Sequence, residues 1–143
     1  MDLTRAFDLR AFEGQSPNSR GQVEAIARAA LAAADPQAAV IRALRLDSDA
    51  LWVCGHQYSL NKYERVLVVG AGKASAAMAA AAEQVLGDRI AGGWVNVKDG
   101  YAVPTRFVTI AEAGHPLPDE RSVAGSRHIA SLVGQATDRD LVL

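Results

Sequence analysis

Cysteine is nearly absent. Cys54 is the single one in the chain, so no intrachain disulfide can form and no cysteine-based metal motif exists. Aromatic residues make up only 6%. A core built on large aromatic anchors is therefore excluded, and close packing of small side chains must replace it. Charge of one sign is also missing: 15 basic and 16 acidic residues nearly cancel, with no run of either. That balance gives no support to a generic nucleic-acid or membrane-surface role. The longest uncharged small-residue run, residues 74–82, is too short to span a bilayer. Residues 1–10 mix Asp and Arg with short apolar stretches, which is not the pattern of a signal peptide. A soluble protein in a reducing, cytoplasmic setting is the simplest expectation.

What the sequence has in quantity is alanine, 28 residues, within a 50% apolar composition. Its length suits one domain of ordinary size. Residues 1–20 show weak periodicity, and GQSPNSR (14–20) is loop-like, so this stretch reads as an N-terminal extension. From Gln22 the pattern becomes helical, with Val23, Ile26, Ala27, Ala30, Leu31 and Ala34 on one face. Glu24 and Arg28 stand i, i+4 in the favourable order. Asp35-Pro36 stops this helix and starts a second, expected to run to about Leu46. Residues 47–49 are a turn, and residues 50–54 and 58–60 read as a small hairpin.

Strands and helices then alternate. RVLVV (65–69) is a run suited to a strand buried on both faces. Residues 73–86 read as a helix with Ala74, Ala77, Met78, Ala81, Ala82 and Val85 inward, ended by Gly87-Asp88. Further strands are expected at 94–97, 107–110 and 140–143, and a helix at 122–135 with Ile129, Leu132, Val133 and Ala136 inward. This order predicts an α/β fold: a Rossmann-like three-layer sandwich with a mainly parallel sheet, preceded by N-terminal helices and a small hairpin. The chain stops inside the apolar run DLVL, which reads as truncated rather than finished.

Two loops carry the chemistry. In VVGAGKAS (68–75) a strand ends, Gly70 and Gly72 turn the chain, and a helix begins. Glycines let the backbone approach a phosphate, and the helix N-terminus favours an anion. Lys73 at that terminus is disfavoured by the macrodipole unless an anion compensates it. The P-loop pattern fails because Leu67 stands where its first glycine belongs, and the dinucleotide fingerprint fails because Ser75 replaces its third. The turn thus reads either as a phosphate or carboxylate site, or as a tight turn with a solvated lysine. Ser75 either contacts the phosphate or packs within its helix.

The second loop, EAGHPLPDE (112–120), follows the third strand of this series and should lie on the same sheet edge. His115 can bind an anion there or sit in a stiff Pro-rich turn. Asp119 can act as a base, hold a metal, or cap the next helix. Lys98 and Asp99 end the second strand on that edge, as ligand contacts or as a solvated turn. His56 and His128 read as surface residues, and Trp94 as core.

VLVVGAGKASAAMA followed by EAGHPLPDERSVAG resembles the glycerate 2-kinase family (MOFRL-type glycerate kinases, also labelled hydroxypyruvate reductases). ARAALAAADPQAAVIRAL and GGWVNVKDG fit its N-terminal pattern. The resemblance covers residues 21–143 and implies part of an N-terminal Rossmann-like domain whose C-terminal partner domain is absent. It implies ATP-dependent phosphorylation of D-glycerate to 2-phosphoglycerate with Mg2+, and a chain inactive alone. Lys73 matches the active-site lysine; Gly70, Gly72 and Ser75 would serve the nucleotide phosphates; His115, Asp119 and Lys98 are substrate-site candidates. A homodimer remains open. The alternatives are a nicotinamide-dependent hydroxypyruvate reductase and a non-catalytic anion-binding protein.

Overall fold

The computed structural model describes residues 17–143, which divide into two compact units, the first ending at Asp35 and the second beginning at Pro36. In the first, α1 (Pro17–Ala33) is an alanine-rich helix. It begins earlier than the periodicity suggests, taking in four residues of the expected extension; residues 1–16 lie outside the described residues. Val23, Ala27 and Leu31 are half-buried, whereas Ile26 is exposed, so the apolar stripe is narrower than expected. Glu24 accepts two hydrogen bonds from Arg28, at 3.0 and 2.6 Å.

The second unit opens with α2 (Pro36–Ala43), which stops three residues short of the expected end. Leu44–Asp47 forms strand β1 instead, pairing antiparallel with β2 (Ala50–Val53), which pairs in turn with β3 (His56–Ser59). Leu44 and Leu46 are half-buried and Arg45 and Asp47 exposed, a period of two that the preceding helix disguises. The expected hairpin is therefore a three-stranded sheet. Cys54 and Gly55, at φ 48° and 86°, form its second tight turn.

The main sheet has four parallel strands: β4 (Arg65–Ala71), β5 (Ile90–Lys98), β6 (Val108–Ala113) and β7 (Asp140–Val142). Their spatial order is β6-β5-β4-β7. β4 pairs with β5 on one side and β7 on the other, so the connection reverses direction there. That reversal is the switch point of a doubly wound sheet. Two helices cross over, α3 (Ser75–Leu86) and α4 (Glu120–Gly134).

One face of the sheet buries Val66, Val68 and Val95 with Ala79 and Leu86 of α3, and with Leu51 and Leu60 from the antiparallel sheet and its exit. Burying each such aliphatic side chain contributes about 1.5–3 kcal/mol. On the other face, Asn96 meets Gly125 of α4 and Trp94 stacks on His128. This is the three-layer α/β sandwich expected. The inward faces of both helices differ in detail. In α3 the buried set is Ser75, Ala76, Ala79, Ala81, Ala82 and Leu86, while Met78 is 44% exposed; in α4 Val133 is 42% exposed.

Polar ties fix the strand ends. Arg65 forks onto Asp140 at 2.7 and 2.8 Å, joining β4 to β7. Glu83 of α3 accepts from the N–H groups of Arg106, Phe107 and Val108 at 2.7, 2.6 and 2.8 Å, which seats the start of β6.

Candidate functional site

The C-terminal edge of the sheet carries the candidate residues. β4 runs two residues further than RVLVV suggests, to Ala71, and α3 starts at Ser75, so Lys73 lies in the turn itself rather than in the helix. Gly72 has φ +121°, outside the range that L side chains readily adopt. Its N–H donates to the Asn96 carbonyl at 3.0 Å, tying the turn to β5. Ser75 is buried, and its hydroxyl lies 2.9 Å from the Asn96 carbonyl and 2.5 Å from that of Gly72. The hydroxyl of Ser75 thus holds the turn closed. Ala74 caps α3 without a side-chain bond, and the N–H groups of Lys73 and Ala74 have no partner among the described residues. A helix N-terminus left in that state is suited to an anion.

Gly72, Lys73, Asn96, Lys98, His115 and Ser122 line a cleft of about 210 Å3 over the ends of β4, β5 and β6. The structure thus brings together Lys73, Lys98 and His115 from the C-terminal ends of three neighbouring strands or the turns that follow them. Lys73 and His115 are exposed and Lys98 is half-buried, its Nζ 4.9 Å above the Tyr101 ring. Neither lysine has an acidic partner within ion-pair distance among the described residues. Two cations without a direct ion-pair partner in one polar cleft are an arrangement suited to an anion. A larger hollow of about 350 Å3 lies among Val40, Leu44, Val68, Ala79, Val95 and Leu143, but no charged side chain lines it. The charged side chains line the smaller one. Gly70 lines the apolar hollow instead, behind the turn rather than at the cleft.

Asp119 is the N-cap of α4. Its carboxylate accepts from the Ser122 N–H at 3.0 Å, the Gly114 N–H at 3.1 Å and Arg121 Nε at 2.8 Å, in a capping box with Ser122. The Ser122 N–H, followed by Arg121 and Gly114, holds this carboxyl well below the usual range. Of its three possible roles, the cap is the one the geometry provides. Asp99 is forked by Arg121, which lowers its pKa as well. His115 precedes Pro116 through a cis peptide bond.

Sequence reasoning missed Arg121 and Asn96. Arg121 had a detectable signal: like Lys73, it is a cation beside a helix N-terminus, and such a charge asks for an anionic partner. His56 and His128 are exposed as expected, and Trp94 is half-buried.

The family model described as "Domain of unknown function (DUF4147)" matches residues 22–143. A glycerate 2-kinase from Pyrococcus horikoshii is 34% identical over 113 residues, 79% of this chain and 25% of the relative. A putative hydroxypyruvate reductase from Agrobacterium vitis is 46% identical over 79 residues, 55% of this chain and 20% of the relative. A crystal structure of a Pyrococcus horikoshii protein superimposes with a TM-score of 0.70 at 34% identity, covering 77% of this chain and 24% of its own. The chain spans about a quarter or less of the length of these relatives. No helix among the described residues is long and apolar enough to cross a membrane. The chain belongs to the DUF4147 family, the N-terminal domain of the glycerate kinases.

Proposed function

We propose that this chain supplies the phosphate-binding wall of an ATP-dependent glycerate 2-kinase, which transfers a phosphoryl group to the 2-hydroxyl of D-glycerate. The observation that carries the reading is the cleft where Lys73 and Lys98, neither in a direct ion pair among the described residues, meet the Gly72 turn. Phosphoryl transfer depends on positioning and on neutralising charge at the phosphate oxygens, and these groups offer both. At about 210 Å3 the cleft suits a phosphate or a three-carbon acid rather than a whole nucleotide. ATP would place only its phosphates here. Lys73 is the catalytic candidate, with Lys98 and His115 beside the acceptor. Ser75 and Asp119 act by holding the loops.

Magnesium fits this wall poorly. No group of three His, Cys, Asp or Glu suited to a metal occurs among the described residues, and the carboxylates of Asp99 and Asp119 are engaged by Arg121. No step is assigned to it on these residues.

The second reading, a nicotinamide-dependent hydroxypyruvate reductase, is favoured by the name of the Agrobacterium vitis relative. Two observations weigh against it. Ser75 fills the third glycine position with a hydroxyl the turn needs, and Asp99, the acidic residue after β5, faces Arg121 rather than a free ribose site. Calorimetric titration of the chain separates the readings. ATP should bind wild type and be lost from Lys73→Ala, while NADH should not bind. Equal ATP affinities for both proteins would remove Lys73 from the site, and NADH binding that Lys73→Ala abolishes would favour the reductase.

A further inference from the structure

Lysines bring charge to the cleft but little direction. Asn96 brings direction. It is 8% exposed, near the C-terminal end of β5 where that strand borders the cleft, and a buried polar side chain there is out of place unless it is used. Its carboxamide orientation is dictated by Trp94. The indole Nε1 is a donor only, and it lies 2.9 Å from the amide oxygen of Asn96. The Trp94 ring is held by a stack on His128, centroids 3.8 Å apart. With Oδ1 engaged by Trp94, the two N–H groups on Nδ2 point elsewhere.

Those N–H groups have no partner among the described residues. Yet no buried side-chain N or O atom is left unpaired, so Nδ2 keeps access to solvent. The open space beside Asn96 is the cleft it lines. α4 makes room for this arrangement. A Cβ on Gly125 would come within 2.1 Å of Oδ1 and 2.4 Å of Nδ2, so any side chain there would displace the carboxamide.

We propose that Asn96 is a binding residue of the cleft, whose Nδ2 donates to an oxyanion oxygen of the bound anion. This rests on the reading of the cleft as an anion site, and it adds the group that orients the anion. The ligand chemistry is a compact oxyanion, either a phosphoryl group or the carboxylate of a small hydroxy acid. A neutral donor aimed by Trp94 reads where the oxygen sits, which the flexible lysines do not.

Inorganic phosphate and D-glycerate are the two probes, each titrated into the chain and followed by side-chain amide and indole NMR signals. The Asn96 Nδ2 protons should move with saturation, while the Trp94 indole proton keeps its position. Whichever probe moves them identifies the source of the oxygen. Asn96→Asp keeps an acceptor for Trp94 but turns a carboxylate oxygen towards the cleft, and should weaken binding about ten-fold or more. Trp94→Phe frees the amide and should weaken it by a smaller factor. If Lys73→Ala loses the probe while Asn96→Asp keeps wild-type affinity and the Nδ2 protons stay still, the Asn96 inference is wrong and the anion site stands. If neither probe binds wild type, both are wrong.

Discussion

Arg121 closes a fork on Asp99, with Nη1 2.7 Å from Oδ1 and Nη2 2.7 Å from Oδ2. The same guanidinium reaches the Asp119 carboxylate through Nε at 2.8 Å. It therefore ties the residue after Lys98 to the N-cap of α4, on whose approach His115 lies. The two sides of the cleft are held at a set spacing by one exposed side chain. Exposed ion pairs add little to stability, so the value of this one lies in position. Arg121→Ala should melt within a few degrees of wild type and bind phosphate several-fold more weakly. Arg121→Lys, which cannot form the fork, should recover only part of the loss. Paired thermal melts and phosphate titrations check this, and unchanged affinity in Arg121→Ala would exclude the positioning role.

Gly72 holds φ +121° at the closing point of the β4–α3 turn, with open space where a Cβ would stand. Gly72→Ala should therefore cost about 1–3 kcal/mol through backbone strain alone, without any clash. Urea unfolding would show a lower midpoint at an unchanged slope. A neutral outcome would mean that the turn relaxes freely and imposes no geometry on Lys73.

Glu83 joins α3 to the start of β6 through three backbone N–H groups. Removing its carboxylate leaves partly buried donors unpaired. Glu83→Ala should destabilise by about 2–3 kcal/mol, and Glu83→Gln, which keeps one acceptor oxygen, by less. Hydrogen exchange should place the new opening at residues 105–108.

Asp119 and Asp140 share a sign of pH dependence. The first is lowered by the Ser122 N–H and Arg121, the second by Arg65 and then the Thr137 N–H. A carboxyl depressed in the folded state stabilises it above the unfolded pKa of about 3.9, and that contribution is lost as pH falls towards the folded value. Stability should therefore decline below about pH 4, and the unfolded chain should take up the extra protons. In Asp140→Asn the decline between neutral and acid pH should be shallower. An acid titration of the urea midpoint reads both, and parallel curves for wild type and variant would contradict the assignment.

The parallel sheet was legible because RVLVV and the strands after it are dense in β-branched residues, and because glycine turns punctuate them. β1 was hidden by Leu44, which continues the apolar spacing of α2 from Val40, and its strand partner lies beyond a turn. The inward face of α3 was misread because alanine occurs on every side of it, leaving the periodicity almost no contrast. At the site, Lys73, Lys98 and His115 could be placed together because a parallel sheet sends all its strand ends to one edge. Asn96 and Glu83 could not. Each works through a partner on another element, Trp94 and Gly125 for the first and the start of β6 for the second, and single-sequence patterning carries no trace of such pairings.

A crystal of the chain soaked with ATP tests the central claim most directly. The account predicts phosphate density in the Lys73–Lys98–His115 cleft, with an oxygen in hydrogen-bond distance of Lys73 Nζ and another facing Asn96 Nδ2. Ordered nucleotide elsewhere, for instance over the apolar hollow beside Leu143, with the cleft empty at saturating ATP, would contradict it.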